Sequence, residues 1–264
     1  MSTKACYNLF STQDTRKLPT ITNISINRFQ LFQSKGLTQL TLNLQEQAYK
    51  AIRKKIIYSE LAPGTKISEK ELEQSLKIGR TPIREALIQL RNQELVYTIP
   101  QSGTYISKID LKAASNARYV RETLERSILA ECSAKIDRKG QRALEAILLE
   151  TDNAAIRRGI TDFFQLDSAF HRTCFEIAGR EEVWSWIEDH ATHFDRFRWL
   201  RLKVTELDWQ KVADEHQALY DAIINHDLDE LSFLTTLHLH MAIDEQEQVM
   251  HQFPDFFTEN SLIY

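Results

Sequence analysis

The stretch Ser68-Glu-Lys-Glu-Leu-Glu-Gln-Ser-Leu-Lys-Ile-Gly-Arg-Thr-Pro-Ile-Arg-Glu-Ala-Leu-Ile-Gln-Leu90 decides how this chain is read. Its spacing predicts a helix over about 69–76, a turn at Lys77-Ile78-Gly79 and a second helix from Thr81 to Gln93. Ser68 stands as the N-cap of the first, with Glu71 three residues on, the pattern of a capping box. Pro82 is tolerated because the first turn of a helix has no partner for its missing N–H. Arg80 and Arg84 are spaced i,i+4 and share one face. A short helix with cations at its exposed N-terminal end suits the major groove of DNA, where a guanidinium pairs with guanine O6/N7 or grips phosphate.

On the N-terminal side, residues 44–60 read as an amphipathic helix with Ala48, Ile52 and Ile56 on its apolar face. Leu61-Ala-Pro-Gly-Thr65 breaks it, Pro-Gly being a strong turn signal. On the other side, two β-prone runs, 95–99 and 104–107, flank Pro100-Gln-Ser-Gly103. They read as a hairpin, and a hairpin directly after such a helix is the wing of a winged helix-turn-helix. Residues 1–40 are polar without a sustained period and read as a poorly ordered arm, with a short structured piece around Ile24–Phe32. Such an arm either touches phosphates or is a plain extension.

From Asp110 to about His251 six helical stretches follow, at roughly 111–135, 138–158, 160–178, 181–202, 207–225 and 228–249. Apolar residues recur at three and four spacing, as in Val120, Leu124 and Ile128, in Leu144, Ile147 and Leu148, and in Phe163, Phe164, Leu166, Phe170 and Phe175. From Ile109 onward there is no further strand pattern. The expected fold is mainly α: an N-terminal winged helix-turn-helix with a small β-hairpin wing, and a C-terminal all-α helical bundle. The expected boundaries are 1–40 for the arm, 41–109 for the winged head, 110–251 for the bundle and 252–264 for a tail.

Composition agrees. In 264 residues there are only 7 Gly and 5 Pro, and 42% are apolar, which favours helices over turn-rich β architecture. The net charge of -4 looks wrong for a DNA partner. Its distribution does not: residues 1–108 carry 16 Lys and Arg against 8 Asp and Glu, and residues 109–264 carry 17 against 29. A basic head on an acidic body is the layout of one DNA-facing domain and one with another task. No apolar run approaches the ~20 residues that span a bilayer, and the start of the chain lacks the pattern of a signal peptide. Cys6, Cys132 and Cys174 have no metal-finger spacing and fit reduced thiols of the cytoplasm.

Within the bundle, Asp167 and His171 are spaced i,i+4 on one helix, His216 lies on a later helix and His238 on the last. One carboxylate and three imidazoles suit a borderline divalent cation such as Zn or Ni. On spacing alone the same histidines can equally be structural or exposed. Two residues turn a helix by about 200°, so only one of His238 and His240 can face such a site. The chain has no His-Glu-x-x-His, no Gly-x-Ser-x-Gly and no phosphate loop, so an enzyme is not expected.

Residues 42–108 resemble the winged helix-turn-helix of the GntR family of bacterial transcription regulators. The residues that carry the likeness are Leu61-Ala-Pro-Gly, Ser68-Glu-Lys-Glu-Leu, Arg80-Thr-Pro-Ile-Arg-Glu-Ala-Leu87, Leu95-Val and the wing Gly103. Residues 110–250 resemble the helical effector domain of its fatty-acid-regulator-like (FadR, FCD) subfamily. The resemblance implies DNA contacts at Arg80, Thr81 and Arg84, a further one at Lys70, and a wing at Gly103. It implies a metal held by Asp167, His171, His216 and His238, this last in preference to His240. In the family a carboxylate effector or solvent completes the metal's coordination, and Arg121 and Arg198 are candidate cations for it, against a surface or structural role. His190, His193, His226 and His251 match nothing and are expected at the surface. The segment 193–200 is similar to one in a branch that includes sugar-acid regulators.

Several positions depart from the family pattern. Lys77 stands where Gly is common, and Gly79 where Ser or Thr precedes the first arginine. Gln101 and Ser102 occupy a wing tip that is often basic, and Arg180 stands where an Ala-Gly-Asn ending is usual. The expected function is a cytoplasmic, homodimeric, ligand-responsive transcription regulator on a palindromic DNA operator, a repressor by analogy. The alternatives are an architectural DNA binder whose helical domain only dimerises, and a metal-dependent hydrolase with a DNA-binding head.

Overall fold

A computed structural model describes residues 43–259, so the expected N-terminal arm, with the piece around Ile24–Phe32, lies outside the described residues, as does the end of the tail. From Gln45 onward the chain forms a single unit by its contacts. The head begins with α1, residues 43–57. The apolar face read from sequence is the buried one: Ala48, Ile52 and Ile56 are fully buried. The helix stops short of residue 60, with Ser59 in the left-handed region at φ 55°.

Strand β1 (Lys66–Ile67) leads into α2 (Glu69–Leu76) and α3 (Arg80–Asn92). The capping box does not form. Ser68 has the extended backbone of an N-cap but makes no side-chain cap bond, and what favours the α2 N-terminus is the negative charge of Glu69 and Glu71 in its first turn. At its other end Lys77 takes φ 55°, the conformation for which glycine is the easier residue. Strands β2 (Val96–Ile99) and β3 (Gly103–Ile106) form the expected wing, in antiparallel register from Val96 opposite Ile106 to Ile99 opposite Gly103. The sheet has a third strand that the pattern missed, in the order β1-β3-β2. Two residues are too few to show a period.

The bundle consists of α4 (Leu111–Lys135), α5 (Arg138–Ile156), α6 (Ile160–Ala178), α7 (Glu181–His190), α8 (Thr192–Arg201), α9 (Trp209–Asn225), α10 (Leu228–Asp244) and α11 (Gln246–Gln252). Side-chain caps start four of them: Asp110 accepts from the backbone N–H of Lys112 and Ala113, Asp137 from Gly140, Asp208 from Gln210 and Asp227 from Glu230. Helix α6 packs on α5 and α4, and α4 also lies against α8 and α10. Two of the expected helices are each broken in two, at Ala191 and at Glu245. Neither break contains Gly or Pro, so no local signal announced it.

The expected stripe on α4 is also displaced. Ile128 is buried, but Val120 is half exposed, because α4 turns Arg121 and Glu125 into the interior instead. Head and bundle share one apolar cluster, in which Ile52, Ile56 and Leu87 join Phe163, Phe164 and Trp199. The chain between them is held from both sides. Ile109 donates its N–H to the Phe256 carbonyl at 2.8 Å and accepts from Thr258 at 3.0 Å, making a parallel bridge to Phe257. Phe257 packs with Ile109, Phe197 and Leu200. This pairing, beyond the last sequence-read strand, depends on residues 148 apart and has no local signature.

Candidate functional site

Four donors converge inside the bundle. Asp167 and His171 come from α6, His216 from α9 and His238 from α10, and their ligand atoms all lie within 4.8 Å of one another. His171 and His216 are fully buried, and Asp167 and His238 nearly so. His171 Nε2 is 3.3 Å from the Nε2 of His216 and 3.3 Å from that of His238. His240 faces solvent.

The outer nitrogens of two rings are engaged by carboxylates. His171 Nδ1 lies 2.8 Å from Glu125 Oε2, and His238 Nδ1 donates to Glu215 Oε2 at 2.9 Å. A proton on each of these Nδ1 atoms would leave both Nε2 lone pairs pointing at the same space, the arrangement by which a carboxylate orients an imidazole for a metal. His216 Nδ1 is buried with no hydrogen-bond partner in the protein. Burial pushes the His171 imidazolium pKa down to about 4, with Arg121 adding to the fall and Glu125 opposing it. Burial, followed by His238, pushes His216 well below the ordinary value. Neutral rings at neutral pH are what metal ligation requires. Burial pushes the Asp167 carboxyl up, but the Arg198 guanidinium beside it and the nearby imidazoles outweigh this and hold it well below the usual carboxylate range. The donor set therefore fits a borderline divalent cation.

A cavity of about 50 Å³ adjoins the cluster, lined by Asp167, His238, Arg121, Arg198, Arg201 and Phe194 among others. This is room for a few waters or a compact ligand. Both arginines singled out from sequence reach it. Arg121 is almost completely buried and paired with Glu125, and Arg198 donates to Asp167 and to Asp195. Arg201, paired with Glu245, was not foreseen. Three signals were available for what was missed: Glu125 is i,i+4 from Arg121, Arg201 is i,i+3 from Arg198, and Glu215 precedes His216.

On the head, Lys70, Arg80, Thr81 and Arg84 are all exposed. Glu69 ties the two arginines together, accepting from Arg80 Nε at 3.0 Å and from Arg84 Nε at 2.9 Å. Gly103 takes φ +139°, and a Cβ there would meet Lys66 Cε at 2.6 Å. So a cation does lie against the wing, from β1 rather than from the tip, where Gln101 at φ 61° and Ser102 make the turn.

Comparison with known proteins decides the family. Residues 44–106 match the bacterial regulatory proteins of the gntR family, and residues 118–241 match the FCD domain. A transcriptional regulator in an unstable DNA locus of Streptomyces ambofaciens is 30% identical over 218 residues, 81% of this chain and 89% of that protein. The chain belongs to the GntR family. The HTH-type transcriptional repressor RspR of Escherichia coli K12 is 29% identical over 224 residues, 84% of this chain and 98% of that one. Among solved structures, E. coli McbR/YncC shares the fold, with a TM-score of 0.70 and 15% identity over 80% of this chain and 98% of its own. Both families are those of transcription regulators, and among the described residues no helix is long and apolar enough to cross a membrane.

In this GntR-family chain one expectation about the remaining histidines fails. His190, His226 and His251 are exposed, but His193 is buried. It accepts the backbone N–H of Asp110 on Nδ1 at 3.0 Å, which makes it part of the joint between FCD domain and head. Burial, then Arg196, lowers its pKa to about 4, against the pull of Asp110.

Proposed function

We propose that this GntR-family regulator binds a palindromic operator as a homodimer and holds a divalent metal, Zn or Ni, through Asp167, His171, His216 and His238. In this reading the protein is cytoplasmic, Lys70, Arg80, Thr81 and Arg84 contact the DNA, and Gly103 shapes the wing. The metal would serve as a Lewis-acid anchor for a small carboxylate effector. Arg121 and Arg198 would neutralise and orient that effector. The observation that carries the reading is the closure of one carboxylate and three imidazoles to within 4.8 Å, beside a cavity lined by Arg121, Arg198 and Arg201. Phe163, Phe164 and Phe194 also line the cavity, so they would exclude water and strengthen each charged contact. At about 50 Å³ it favours a compact sugar acid or other organic acid over a long chain. Segment 193–200, which is similar to that of sugar-acid regulators, supplies both Phe194 and Arg198 to it.

Two measurements test the reading. Elemental analysis of the purified protein should find one Zn or Ni per chain, lost in His171→Ala/His216→Ala; a wild type that takes up neither metal sinks the metal site. Enrichment of genomic fragments at near-physiological salt, where phosphate binding alone is weak, should return one recurring short palindrome. A folded, dimeric protein that enriches nothing, with or without metal, would rule out sequence-specific binding.

A further inference from the structure

We infer that Arg198 couples the state of the buried centre to the seating of the DNA-binding head, acting through Asp195 and Arg53. This rests on the metal reading of the centre. Arg198 divides one guanidinium between two acids. Nη2 donates to Asp167 Oδ2, and Nη1 donates to Asp195 Oδ1 at 3.0 Å. The other oxygen of Asp167 faces the cluster, 3.9 Å from His216 Nε2. The other oxygen of Asp195 faces the head, 3.8 Å from Arg53 Nη2. Arg53 belongs to α1 and also donates to the Glu188 carbonyl at 2.5 Å. The centre and the first helix of the head are thus linked by a row of four alternating charges.

An apolar contact runs beside the ionic one. The Arg198 Cζ stands 5.0 Å over the Phe164 ring. Phe164 meets the edge of Tyr58 at 5.6 Å, and Tyr58, just past the end of α1, stacks on Trp199 at 4.4 Å. Phe164 and Asp167 share α6; Trp199 and Arg198 share α8. The same two helices carry Asp167, His171 and Arg198 on one side and the seat of α1 on the other.

The four charged side chains are between 11% and 21% exposed, so solvent screens them only in part and a charge added at one end is felt along the row. A cation on Asp167 takes up that carboxylate's charge. Arg198 then turns more fully to Asp195, and Asp195 holds Arg53 less. Occupancy of the centre loosens the α1 seat.

The test uses the full chain, with Zn²⁺ alone as the probe. Amide hydrogen exchange over residues 45–60 is followed by mass spectrometry for the wild type, Asp195→Asn and Arg53→Gln. Zinc content and a cooperative thermal transition are checked for each. Zinc should speed exchange in the wild type by about fivefold or more. Both variants should exchange fast with and without zinc while binding as much of it. The two substitutions act from opposite sides of the joint, so either one that folds suffices. Zinc uptake with unchanged wild-type exchange, or the same acceleration in a folded variant, overturns the coupling and leaves the metal site standing. A wild type that takes up no zinc overturns the metal site, and the coupling with it.

Discussion

Arg80 and Arg84, the pair proposed to meet DNA, are joined through Glu69, and this sets what each substitution should do. Arg84→Ala should weaken operator binding by about 1–3 kcal/mol. If Arg84 reads a base, the loss is confined to one base step in a panel of operator variants measured by fluorescence anisotropy. A uniform loss means that it grips phosphate only. Glu69→Gln should act in the opposite sense on affinity. It removes a negative charge from the proposed DNA face and frees both guanidinium groups, so binding to scrambled DNA should tighten and the ratio of operator to scrambled binding should fall. An unchanged ratio would show that Glu69 does not order the pair. At this scale the sequence was legible where chemistry and helical spacing coincide, as in Arg80 with Arg84 and Asp167 with His171. It was least legible where a partner is remote. Nothing near His238 says that its outer nitrogen meets Glu215 on another helix, and nothing near His193 says that it is buried on the Asp110 backbone.

Helix α8 has the most demanding task of the elements. It faces the cavity with Phe194 and Arg198, the head with Trp199, and the joint with His193 and Arg196, whose Nη2 donates to the Ser107 carbonyl at 2.6 Å. The break at Ala191 lets α7 and α8 each bury their own face, Trp184 and Ile187 in one, Phe194 and Phe197 in the other. One straight helix was the natural reading because the apolar period continues across the break; tertiary packing, not a local stop, ends α7. The same packing gives α8 a pH signature. The folded protein prefers neutral His193, with a pKa near 4, whereas the unfolded chain takes up that proton near 6.5. Its contribution to stability is therefore complete above about pH 6.5 and is lost as the pH falls toward 4, by up to about 3 kcal/mol. His193→Asn keeps an acceptor for the Asp110 N–H and removes the titration. Urea melts between pH 7 and 4 should show a flatter decline for the variant. Parallel curves would refute the assignment.

For the molecule as a whole, the decisive property is that head and bundle are built around one apolar cluster. Truncating Trp199 to Ala should cost about 3–5 kcal/mol and shift a single thermal transition, because its ring belongs to both parts. A calorimetric trace that instead splits into two transitions would show that the parts fold independently. The mainly α class and the order of head, wing and bundle were readable from periodicity, turn chemistry and charge balance. The way the parts join was not, since it depends on pairs such as Tyr58 with Trp199 and Ile109 with Phe257, which are far apart along the chain. That last pair has a consequence for biosynthesis. A ribosome makes residues 43–110 well before residues 246–258, so the strap that pins Ile109 reaches it only after α4 to α10 have been made. Until then a nascent chain carries its winged head on an unfastened joint, and the segment that fastens it is translated only after the helices it closes over.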